Sequence, residues 1–99
     1  FNSLQWNSTG LNNFALGNSS LKNNTTGSDN ISIGFETLLS NTDDNDNIAI
    51  GQKALRGLID GGTNVAIGKN AGNNLNFGSN VIVIGFGPLA RALVNLNDV

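Results

Sequence analysis

The sequence predicts an all-β fold, a parallel β-solenoid of about five to six coils of 17 residues, on three observations. Gly17, Gly34, Gly51, Gly68 and Gly85 fall at multiples of 17. Each closes a short apolar run: Asn13-Phe14-Ala15-Leu16-Gly17, Asn30-Ile31-Ser32-Ile33-Gly34, Asn47-Ile48-Ala49-Ile50-Gly51, Asn64-Val65-Ala66-Ile67-Gly68 and Val81-Ile82-Val83-Ile84-Gly85. No insertion or deletion breaks the series. A fixed period kept without slippage marks a chain wound into stacked layers.

The strand comes first within each repeat. Phe14, Ile31, Ile48, Val65 and Ile82 form one column, and Leu16, Ile33, Ile50, Ile67 and Ile84 form a second. Ala15, Ser32, Ala49, Ala66 and Val83 lie between them, so large and small residues occupy opposite faces of a pleated strand. β-Branched residues predominate, as such a surface favours. The Gly that follows implies a corner, through positive φ or an approach too close for a Cβ. Four residues on stands a third apolar column, Leu4, Leu21, Leu38, Leu55, Gly72 and Leu89. A polar turn completes the repeat, with Gly10, Gly27, Gly61 and Gly78 in register and Asp44 as the substitute, a residue that tolerates the left-handed region.

Each repeat thus offers three apolar side chains to an interior, worth roughly 1.5–3 kcal/mol apiece. Ordering the backbone costs about 1–2 kcal/mol per residue, so one coil alone does not hold and stacking is compulsory. On this reading the Ile and Leu columns fill the interior. The Ala/Ser ribbon then faces outward, open to another chain or to a loop of its own. Asn13, Asn30, Asn47 and Asn64 are expected to stack as a structural amide ladder between layers at about 4.8 Å.

Charged residues make up only 12% of the chain, with a net charge of −2. No basic run exists to neutralise phosphates, which argues against a nucleic-acid partner. No stretch approaches the roughly 20 apolar residues of a membrane-spanning helix. Cys and His are absent, which removes disulfide and thiol chemistry and the commonest general base. No catalytic residue and no cofactor site is expected. Glycosidase chemistry needs two carboxylates flanking a cleft, whereas the acids here fall in turns.

The strict repeats span 1–85, and 86–99 reads as a cap or a partial sixth coil. Pro88 suits a first helical position, and Leu89, Ala92, Leu93 and Leu96 keep helical spacing. At the other end Phe1, Leu4 and Trp6 belong to a partial repeat. Trp6 suits covering an exposed core, or serving as a sugar-binding platform. The chain enters part-way through a repeat and reads as a segment of a longer array.

The densest charge is Asp43-Asp44-Asn45-Asp46, with Asp60 one coil after Asp43. Stacking would bring carboxylates together, and hard oxygen ligands suit calcium. The spacing does not match an EF-hand, so Asp43, Asp44, Asp46 and Asp60 are weak calcium candidates beside the simpler reading of a solvated turn. Glu36 and Lys53 share a phase in adjacent coils and are expected to pair.

The unit Asn47-Ile48-Ala49-Ile50-Gly51-Gln52-Lys53-Ala54-Leu55, with the turn Asn24-Thr25-Thr26-Gly27, resembles the head repeats of trimeric autotransporter adhesins. It is also similar to 17-residue repeats of phage tail fibres and bacterial surface proteins. The resemblance runs from about Leu4 to Gly85. It implies a left-handed parallel β-roll, three chains side by side, and neither enzyme activity nor cofactor. The expected role is a structural segment of an extracellular fibre on a virion or bacterial cell surface, a trimeric shaft or head. The alternative is a recognition tip that binds a host glycan or protein through Phe35, Gln52, Lys69 and Phe86, just after the Gly corners.

Overall fold

A computed structural model describes residues 1–87 and the pair Val94–Asn95. The strands are β1 (Phe14–Leu16), β2 (Ile31–Ile33), β3 (Ile48–Ile50), β4 (Val65–Ile67), β5 (Val81–Ile84) and β6 (Val94–Asn95). They form one sheet in the order β1-β2-β3-β4-β5-β6. From β1 to β5 the pairing is parallel and in register, with Phe14 on Ile31, Ile31 on Ile48, Ile48 on Val65 and Val65 on Ile82. The chain is therefore a β-solenoid of about four turns, each 17 residues long. β6 runs antiparallel to β5, Ile82 facing Val94, so the sheet ends on a strand of opposite direction. The rest of the expected helix or sixth coil, 88–93 and 96–99, lies outside the described residues.

The strand faces are inverted relative to the expectation. Ser32, Ala49 and Ala66 are fully buried and Val83 nearly so. The large residues point outward: Phe14, Leu16 and Ile84 are more than half exposed, and Ile31 and Ile67 more than a third. The opposite wall supplies the reason. Leu21, Leu38 and Leu55 already fill the interior, and Ser20 reaches across to Ser32, its Oγ 2.6 Å from Ser32 Oγ and 2.9 Å from Ser32 O. A column of leucines meets a column of small residues, as close packing requires. The fifth repeat is a natural control. Its leucine is replaced by Gly72, and the facing residue enlarges to Val83, whose Cγ2 would lie 3.6 Å from a Cβ at position 72.

The corners are tightly specified. Leu21, Leu38 and Leu55 hold φ of 50°, 49° and 50°, an uncommon region for a large side chain. Burial of each leucine offsets that strain. At Gly34 φ is 130°, and a Cβ would lie 2.8 Å from the carbonyl of Gly51 in the next layer. Both reasons inferred for the corner glycines hold together there. The turn glycines differ. A Cβ at Gly10 or Gly27 would collide with the next layer's carbonyl, at Gly27 or Asp44, so close approach selects them. Asp44 is not among the residues with positive φ, which corrects the left-handed reading of that position.

Candidate functional site

Each strand presents two large apolar residues to solvent, and in-register pairing aligns them. The result is a double column of Phe14 and Leu16, Ile31 and Ile33, Ile48 and Ile50, Val65 and Ile67, Ile82 and Ile84. Four layer steps of about 4.8 Å make it roughly 20 Å long. A contiguous apolar surface of this kind marks an interaction site more often than a bare monomer face. Parallel sheets, moreover, are found almost entirely with both faces covered. Here the described residues cover one face and leave the other open.

Behind that surface, buried amides tie each layer to the next. Asn13, Asn30, Asn47 and Asn64 do form a column, but its main bonds are not amide to amide. The backbone N–H groups of Asn30, Asn47, Asn64 and Val81 donate to Oδ1 of Asn13, Asn30, Asn47 and Asn64 at 3.0, 2.9, 3.1 and 3.0 Å. The Nδ2 groups donate to turn carbonyls at Gly27, Asp44, Gly61 and Gly78. The column rivets strand to turn across consecutive layers.

A second column, missed in the sequence, carries the amide-to-amide ladder. Asn24 Nδ2 donates to Asn7 Oδ1 at 2.8 Å, and Asn41 Nδ2 donates to Asn24 Oδ1 at 3.0 Å. The next position in the column is Leu58, and Asn41 Oδ1 is buried without a hydrogen-bond partner. The available signal was the 17-residue recurrence Asn7, Asn24, Asn41, hidden by its loss in the last repeats and by its place among turn residues.

Asp43, Asp46 and Asp60 are exposed and Asp44 is half-buried. Among the described residues no group of three or more acidic or other ligand side chains, Asp43, Asp44, Asp46 and Asp60 included, is placed to hold a metal ion. Asp44 Oδ2 instead accepts the backbone N–H of Gly61 at 2.9 Å. Burial pushes its pKa above the ordinary carboxylate value; the Gly61 bond offsets this in part, and the charges of Asp43 and Asp60 add to the rise.

Glu36 pairs with Arg56 rather than Lys53, Nε to Oε1 at 2.7 Å. The pair spans 20 residues, one repeat plus three, and Arg56 is exposed, so its worth is at most about 1 kcal/mol. Phe35, Gln52, Lys69 and Phe86 are all exposed on the flank beyond the glycine corners. Trp6 is 58% exposed and does not close over the core. Comparison with protein-family models, with curated proteins and with solved structures gave no match.

Proposed function

We propose that this chain is a non-enzymatic structural segment of an extracellular fibre, a shaft or head in which three copies associate side by side as left-handed rolls. The observation that carries the reading is the double apolar column on the outer strand face. One copy offers the column, and two further copies cover it without new chemistry, each layer meeting its own equivalent. The resemblance of the repeats to fibre and adhesin heads supplies the number three, the hand of the coil and the surface location.

Sedimentation of the chain at micromolar concentration tests it. A trimer is expected, and Ile33→Asp with Ile50→Asp is expected to give a monomer that keeps its β-type circular dichroism. A wild-type chain that stays monomeric at tens of micromolar would remove the proposal.

A second reading is favoured by the exposed row Phe35, Gln52, Lys69 and Phe86. Variable residues held on a repeating flank suit recognition of a host glycan or protein at a fibre tip. A glycan array probed with the wild-type assembly and with a Phe35→Ala, Lys69→Ala variant distinguishes tip from shaft.

A further inference from the structure

The layers are not bonded equally, and the differences gather at one level. Between the first and second repeats, the N–H groups of Ser8, Thr9 and Gly10 all donate to Thr25 O; between the second and third, those of Thr25, Thr26 and Gly27 all donate to Thr42 O. Among the described residues no equivalent bond runs from Thr42, Asp43 or Asp44 to Ile59 O. The Asn7-Asn24-Asn41 ladder stops at the same level, with Asn41 Oδ1 buried and unpaired beside the Leu58 layer. An orphaned buried acceptor forfeits its bonds to water without replacement. The rivet that crosses this level is also the longest of its column. Asn47 Nδ2 lies 3.3 Å from Gly61 O, against 2.7, 2.9 and 2.8 Å for its counterparts.

The cause is legible in Asp44. The first two turns carry Gly10 and Gly27 where a Cβ would strike the next layer. Asp44 has a Cβ at that position, so the turn above it takes a different path. Gly61 reaches φ 142°, outside the conformation of Gly10 and Gly27, and its N–H is held by the Asp44 side chain instead. On the strand side nothing is lost. β3 and β4 stay paired, Ile48 N donates to Asn64 O at 2.8 Å, Leu38 N to Ala54 O at 3.1 Å, and Glu36–Arg56 bridges the same two layers.

We infer that the solenoid contains a one-sided hinge between its third and fourth repeats, where the turns are bonded more sparsely while the sheet remains closed. The hinge lets the rod bend at one level, toward or away from its strand face. It is a property of the single chain and holds whether or not copies associate.

Residue-resolved hydrogen exchange on the wild-type chain tests it through equivalent amides. Asp29, Asp46 and Thr63 each donate to the previous layer, at Leu11 O, Ser28 O and Asn45 O, and only Thr63 crosses the proposed hinge. After correction for intrinsic rates, Thr63 is expected to exchange at least tenfold faster than Asp29 and Asp46. On the strand side Ile48, which crosses the level, is expected to match Ile31, which does not. Asp44→Gly removes the offending Cβ, and Leu58→Asn gives Asn41 Oδ1 a donor; each is expected to bring Thr63 back toward Asp46. Equal protection of Thr63 and Asp46 in the wild-type chain would overturn the inference. Fast exchange of Thr63 that neither variant slows would overturn it as well, since the weakness would then have another origin.

Discussion

The backbone N–H of Asn64 donates to Asn47 Oδ1, seventeen residues back, at 3.1 Å, while Asn47 Nδ2 donates forward to Gly61 O. One buried side chain thus satisfies two main-chain groups of the following layer, a strand end and a turn. Asn47→Ala leaves both without partners. The expected loss is roughly 2–6 kcal/mol, from about 1–3 kcal/mol for each of the two unsatisfied buried groups, read as a fall in the urea midpoint. Asn47→Asp does not rescue it, because a carboxylate keeps the acceptor and loses the donor.

The glycine corners separate strain from collision. Gly34→Ala faces φ 130° and the backbone of Gly51, whereas Gly85→Ala faces φ 135° with no atom of the described residues within 4 Å of the new Cβ. Backbone strain alone costs on the order of 1–3 kcal/mol. Gly85→Ala is expected to stay within that range, and Gly34→Ala to exceed it, as compared by thermal unfolding of the two variants.

The inverted strand face predicts opposite behaviour for neighbouring positions. Ala49→Leu forces a large side chain against the buried leucine column and is expected to cost about 1–3 kcal/mol by overpacking, independent of protein concentration. Ile50→Ser acts on the outer column. If copies associate through that column as proposed, its effect on the unfolding midpoint grows with protein concentration, because it weakens association rather than the layer itself. Urea titrations at two concentrations check both.

Asp44 supplies a pH dependence whose sign is fixed by its raised pKa. The native chain binds the Asp44 proton more tightly than the unfolded chain, so the ionised form costs stability above the folded pKa. That penalty fades as pH falls through the folded value and is gone below the ordinary carboxylate value. Asp44→Asn keeps an acceptor for the Gly61 N–H and removes the charge. It is expected to be more stable than wild type at pH 7, with the advantage vanishing near pH 3. A variant no more stable than wild type at pH 7 would contradict this.

The stacking, the register and the corners were legible because Gly17 to Gly85 and the apolar runs repeat without slippage, and a period fixes which residues lie over one another. The direction of the strand was not legible. Alternation in Ile48-Ala49-Ile50 separates two faces but does not say which is inside, and the answer depended on how much volume Leu38 and Leu55 bring from the opposite wall. Hydrophobicity favoured the isoleucines; space favoured the alanine. Asn7, Asn24 and Asn41 read as turn residues because Asn is common in turns, and only the bend of the chain brings Asn24 and Asn41 inside. Glu36 and Lys53 share a phase, but Glu36 is paired with Arg56, three residues beyond Lys53, a choice that the repeat alone does not make.

In-register pairing has a consequence for length. Excising one whole 17-residue unit from the regular first three repeats puts Gly over Gly and amide under amide again, so the rod shortens by a single increment of about 4.8 Å and stays sound. Removing sixteen or eighteen residues mismatches every column at once. The molecule is a ruler with discrete graduations: its length changes by counting whole units.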